Sequence, residues 1–251
     1  MILYEYPFNE GIRTMLRLEP LFERLQLLVA RESAIDHHLA IATLFEIIDV
    51  ASRADLKSDL LQELERHRGQ LAGYRGNPSI SEATLDQVLG RLDETHAALH
   101  ALPGKAGATL TANEWLMAVR SRISIPGGTC EFDLPAYHAW RHESSERRQA
   151  DLRTWAATLL PLADALQVLL GLLRESGMPH KVLATNGVYQ QSLPAGKSFQ
   201  LMRVRLDETT GLVPEISGHR LMVAVRLMRA DAEGKLRPIA LDATFELTLC
   251  A

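Results

Sequence analysis

The stretch Arg220-Leu221-Met222-Val223-Ala224-Val225-Arg226-Leu227 decides the fold class. Leu221, Val223, Val225 and Leu227 fall on one face of an extended segment, and Arg220, Met222, Ala224 and Arg226 fall on the other. Two further segments share this period of two. Leu241, Ala243, Phe245, Leu247 and Leu249 alternate with Asp242, Thr244, Glu246 and Thr248, while Phe199 and Leu201 alternate with Gln200, Met202 and Val204. With a fourth strand at Lys181 to Tyr189, these runs predict an antiparallel sheet with one wet face.

Upstream of residue 180 the period is helical. Ile12, Met15, Leu16, Phe22, Leu25 and Val29 recur at helical spacing behind Asn9, an N-cap residue, with a bend expected at Pro20. Ile35 to Ile48 and Leu56 to Leu71, the latter after Asp55, read as two more helices. A fourth starts behind the Ser81-x-x-Thr84 cap and carries Leu85 to Leu99. Helical pattern resumes at Trp115, stops at Pro126-Gly127-Gly128, and returns after Pro135 and again from Glu146 to Leu173. Six or seven helices followed by strands predict an α+β protein, with a helical domain over residues 1–179 and an antiparallel β domain over 180–251.

Charge divides at the same place. Residues 180–251 hold 9 Lys+Arg against 7 Asp+Glu, and the preceding 179 residues hold 18 against 24. The net charge of -4 is therefore the sum of an acidic helical part and a slightly basic sheet part. Such a balance argues against a protein that coats nucleic acid, and the basic strands lack the aromatic residues that stack on bases. Two cysteines and no cationic, apolar leader point to a reducing cytoplasm, and the longest apolar run, Leu159 to Leu173, is interrupted by Pro161, Asp164 and Gln167. No membrane span is expected.

Catalytic and metal motifs are missing. Gly196-Lys197-Ser198 resembles the end of a phosphate loop, but Gln191 stands where the partner glycine belongs and a strand follows instead of a helix. His138 and His142 are four apart without a third ligand in view, so no metal is expected. Cys130 with His138 acting on an anionic substrate is the enzymatic alternative; an inert thiol is the simpler reading. The arginines admit a more direct use. Arg13 and Arg17 share one helical face, and Arg220 and Arg226 share the non-core face of a strand about 20 Å apart, a spacing suited to an extended peptide.

Three strings carry a specific likeness: Tyr4-Glu5-Tyr6-Pro7-Phe8-Asn9-Glu10 with Ile12 to Glu19, then Val119-Arg120-Ser121-Arg122-Ile123-Ser124-Ile125-Pro126-Gly127-Gly128-Thr129-Cys130-Glu131-Phe132-Asp133-Leu134-Pro135, then Pro214-Glu215-Ile216-Ser217-Gly218-His219-Arg220. The chain resembles, from about Leu3 to Cys250, the ZapD family, the Z ring-associated proteins D of bacterial cell division. That resemblance implies a homodimer without catalytic activity or cofactor. It implies a cytoplasmic protein at the division site that binds the C-terminal tail of FtsZ and cross-links FtsZ protofilaments into bundles. The family's basic groove between helical and β domains would draw on Arg17, His138 and Arg226, with Arg13, Arg122, His219 and Arg220 in matching motifs nearby. Thr111, Asn113 and Glu114 depart from the basic residues the family carries before Val119, which makes that part of the groove less basic.

Overall fold

The structure is a computed structural model that describes residues 1–52, 56–194, 196–219 and 221–251. Asp55, expected to precede the third helix, and Arg220 lie outside the described residues. The chain divides into two compact units, Met1–Arg13 with Leu170–Ala251, and Thr14–Leu169. The protein is α+β.

Among the described residues the sheet unit holds eight strands: β1 (Ile2–Pro7), β2 (His180–Ala184), β3 (Val188–Ser192), β4 (Leu201–Leu206), β5 (Leu212–His219), β6 (Met222–Ala230), β7 (Leu236–Pro238) and β8 (Ala243–Cys250). They form one sheet in the order β1-β4-β8-β2 and a second in the order β3-β6-β5, with β7 also on β6. All pairings are antiparallel. Val223, Val225 and Leu227 of β6 and Phe245 and Leu247 of β8 are buried in one core shared by both sheets, as the alternation requires. Leu221 and Leu241 are exposed outside the strands. In β4 the core face is the reverse of the expected one: Met202, Val204 and Leu206 enter the core. The opposite face of β4 is covered as well. There Glu5 of β1 accepts a two-point bond from Arg174 (2.9 and 2.6 Å) and lies in ion-pair contact with Arg203 at 3.0 Å, so alternation by polarity is weak.

The strand expected from Lys181 to Tyr189 is two. Asn186 and Gly187 have φ of +50° and +74°, the two positive values a tight type I′ turn requires, and Val188 N–H donates to the Thr185 carbonyl at 3.0 Å. This turn folds the segment into a hairpin whose arms belong to different sheets. A Cβ at Gly187 would overlap the carbonyl oxygen of Ile239 and stand 2.9 Å from its Cγ1. β1 was not expected from the sequence. Its partner β4 lies some two hundred residues on, so no local turn announces it.

The helices are α1 (Glu10–Ala30), α2 (Ala34–Ser52), α3 (Leu56–Ala72), α4 (Glu82–Ala101), α5 (Ala108–Thr111), α6 (Glu114–Ile123), α7 (Pro135–Arg141), α8 (Ser145–Ala157) and α9 (Leu160–Glu175). Asn9 caps α1 through Ile12 N–H at 2.8 Å, and Ser81 caps α4 through Thr84 N–H at 3.4 Å. α1 continues through Pro20 as one element. The helix expected from Glu146 to Leu173 breaks into α8 and α9, since Pro161 can occupy the first turn of a helix but not its interior. α2 is buried on most of its circumference, from His37 through Ile41, Leu44 and Ile48 to Ala51, which makes it the central helix of its unit. No single helix among the described residues is long and apolar enough to cross a membrane.

Candidate functional site

The link from α6 to α7 shapes the candidate surface of the helical unit. Asn113 starts α6 by accepting Leu116 N–H at 3.0 Å, and Glu114 places a carboxylate in the positive first turn. Asn113 and Glu114, two of the three positions where the resemblance implies a basic residue, thus have a local structural use. Past α6 the chain reverses through Gly127 (φ +70°), and Gly128 lies so close that a Cβ there would stand 2.6 Å from the Arg122 carbonyl oxygen. Ile125 N–H donates to that carbonyl at 3.0 Å, the Cys130 thiol donates to the Gly127 carbonyl at 2.9 Å, and Leu134 N–H donates to the Cys130 carbonyl at 2.9 Å. Pro135 then opens α7.

α7 is fixed from beneath by aromatic packing. Tyr137 and Trp140 are buried, and Trp115, Tyr137, Trp140 and Trp155 stack or tilt against one another with ring centroids 5.3–6.0 Å apart. Arg148 of α8 is also buried, and carbonyls rather than a carboxylate surround it. Its Nη1 donates to the carbonyls of Glu143 and Arg141, its Nη2 to Glu32 O at 2.7 Å, and its Nε to Nδ1 of His37 at 2.9 Å. His37 in turn donates through Nε2 to the Arg31 carbonyl at 2.7 Å, which makes it a neutral ring with the proton on Nε2.

Next to it, the Tyr137 hydroxyl is hydrogen-bonded with His38 Nδ1 at 2.5 Å, and burial pushes the Tyr137 pKa up to about 12, so the phenol keeps its proton. Burial also lowers the pKa of His37 and of His38, with the charges of Arg148 and Arg141 acting in the same direction, while the Arg31 carbonyl opposes at His37. The unfolded chain takes up these two protons near pH 6.5 and the folded chain resists them. The helical unit is therefore expected to lose stability as the pH falls through about 6.5. Melting temperatures at pH 7.5 and 5.5 check this; equal values would place both rings in solvent.

The expected site residues divide between the units. In the helical unit, Arg17 is exposed on α1, Arg122 is exposed at the end of α6, and His138 is half-buried on α7. Arg122 and His138 bracket the same reversal, and Arg122 lies 3.9 Å from Asp133 within it. The ring of His138 is 4.4 Å from that of His142, whose Nδ1 is 2.8 Å from the His138 carbonyl. In the sheet unit, Arg226 on β6 faces Glu215 on β5 at 3.3 Å, and His219, four residues beyond Glu215, shares that outward face. Arg13 pairs with Glu10 at 3.2 Å. Arg220 lies outside the described residues.

The thiol of Cys130 donates to the Gly127 carbonyl and makes no hydrogen bond with His138. Among the described residues no three His, Cys, Asp or Glu side chains are placed to hold a metal ion. Sequence reasoning missed Arg148. Its signal was position: it stands four residues before buried Leu152, on the inward stripe of α8.

Comparison with known proteins matches residues 16–226 to the family model described as ZapD, cell division protein. The chain is 54% identical over 251 residues to the cell division protein ZapD of Ralstonia pickettii (strain 12J), covering 100% of this chain and 99% of that one. The same identity and coverage hold for the cell division protein ZapD of Ralstonia nicotianae, and the one from Janthinobacterium sp. (strain Marseille) is 50% identical with 100% of both chains covered.

Proposed function

The chain belongs to the ZapD family of cell division proteins, and on that premise we propose that it binds the C-terminal tail of FtsZ and cross-links FtsZ protofilaments in the cytoplasm at the division site. The carrying observation is the full-length likeness to cell division proteins of that name. The family is described by a process and not by a reaction. In this reading the protein is a non-enzymatic homodimer that needs no cofactor and presents each tail site twice.

The chemistry of the candidate residues suits such a partner. Arg17, Arg122 and Arg226 are exposed and can meet tail carboxylates, and His138 adds a polar ring on the far side of the reversal from Arg122 in the chain. Single exposed charge contacts are weak and screened by salt, so each attachment is readily reversed. Two sites on one dimer still hold a polymer, because the second attachment is effectively intramolecular.

Co-sedimentation tests the reading. Intact FtsZ filaments are expected to be bundled and FtsZ lacking its tail to be left as single filaments. Arg17→Glu and Arg226→Glu are each expected to weaken bundling several-fold while leaving the circular dichroism spectrum unchanged, since the Arg226–Glu215 pair is exposed and contributes about 1 kcal/mol or less. Equal bundling of tailless FtsZ would defeat the proposal.

A further inference from the structure

Phe132 is 79% exposed, the highest of the exposed Phe, Tyr and Trp side chains among the described residues, and it stands in the hydrogen-bonded reversal between α6 and α7. The neighbouring backbone is fixed on both sides: Asp133 and Leu134 N–H both donate to the Cys130 carbonyl, and the Cys130 thiol is bonded to Gly127. The Asp133 carboxylate reaches back to Arg122. Gly128 admits no side chain without displacing the end of α6. A second apolar side chain of the same reversal, Ile125, is 46% exposed. Folding thus holds a phenyl ring in water on a rigid support. A single exposed apolar residue is ordinary on a mobile loop, but a preorganised one has already lost the freedom that binding would otherwise cost.

Its surroundings specify the ligand. Arg122 adjoins Asp133, the next residue after Phe132, across a stretched 3.9 Å contact, and His138 follows one turn into α7. An apolar surface on a reversal bracketed by a guanidinium and an imidazole fits a short disordered peptide that carries an apolar side chain next to a carboxylate. We propose that Phe132 is the aromatic anchor for such a peptide, packing on its apolar side chain while Arg122 and His138 orient the neighbouring carboxylate. Resting on the function proposed above, the peptide is the FtsZ C-terminal tail. The arginines then set direction, and the ring supplies affinity.

The test is fluorescence anisotropy with a single-copy, fluorescein-labelled FtsZ tail peptide, which removes avidity from the reading. Phe132→Ser is expected to raise Kd about tenfold or more, and Phe132→Tyr to stay within about threefold of the parent, because burial of a phenyl ring is worth at least that ratio. Both variants should keep the parental melting temperature, the side chain being mostly in solvent. A Phe132→Ser Kd within twofold of the parent would overturn the anchor while leaving the tail reading intact. Absence of binding by the parent protein would overturn both. If Phe132→Ser instead became monomeric in sedimentation velocity with its peptide Kd unchanged, the ring would serve a second copy of the chain, and the proposal would be wrong.

Discussion

Replacing Arg148 with alanine is expected to destabilise the helical unit by about 3–5 kcal/mol, because several charge-assisted hydrogen bonds are lost at once and their buried acceptors are left unpaired. Arg148 is 6% exposed, and its guanidinium satisfies the carbonyls of Glu32, Arg141 and Glu143 together with His37 Nδ1. Removing it leaves those acceptors dry, at roughly 1–3 kcal/mol for each that water fails to reach. Among the described residues no carboxylate is bonded to the guanidinium. The carbonyls that accept its bonds lie at or just beyond the C-terminal ends of α1 and α7, where helix dipoles are negative, so the cation and the two helix ends stabilise one another. Arg148→Lys is expected to recover little, since an ammonium presents its donors from one point and cannot span the four acceptors. Urea denaturation followed by far-ultraviolet circular dichroism measures the loss. A change below about 1 kcal/mol for Arg148→Ala would mean that water or backbone relaxation replaces the guanidinium. The same substitution should loosen α7 and with it His138, without altering any residue proposed to touch the tail.

Gly187→Ala is the corresponding test of the sheet unit, with an expected loss of more than about 3 kcal/mol. The αL conformation alone costs an alanine about 1–2 kcal/mol. Overlap with the Ile239 carbonyl comes on top, and the hairpin cannot yield freely because Leu227 N–H donates to the Gly187 carbonyl at 2.7 Å. Gly234 separates the two effects. Its φ is +79°, but nothing lies within 4 Å of a Cβ placed there, so Gly234→Ala is expected to cost only the conformational part, about 1–2 kcal/mol. Equal midpoint shifts for the two variants in urea would show that the Ile239 contact relaxes at little cost.

The parts of this fold that sequence exposes are those with a local cause. A period of two places Val223, Val225, Leu227, Phe245 and Leu247 inward, and side-chain oxygens at Asn9 and Ser81 start helices in the next turn. Features with a distant cause are hidden. β1 is a strand because β4 lies beside it, and the inward face of β4 is reversed because Glu5 and Arg174 cover what polarity would leave wet. The turn at Asn186-Gly187 was legible in principle, since that dipeptide is the strongest short hairpin signal, yet its apolar flanks read as one strand. The candidate residues follow the same division. The family resemblance picks out Arg17, His138 and Arg226, whereas the burial of Arg148 depends on carbonyls contributed at and beyond the ends of α1 and α7 and has no short-range signature beyond its place on the apolar stripe.

The aromatic packing beneath α7 has an optical consequence. All three tryptophans of the chain, Trp115, Trp140 and Trp155, belong to that one cluster, while the sheet unit carries only Tyr4, Tyr6 and Tyr189 as its fluorophores. Indole emission excited at the red edge therefore reports the helical unit alone, and rings stacked this closely transfer excitation among themselves before emitting. The protein thus carries a built-in reporter for one half of its structure, against which events in the other half can be timed separately.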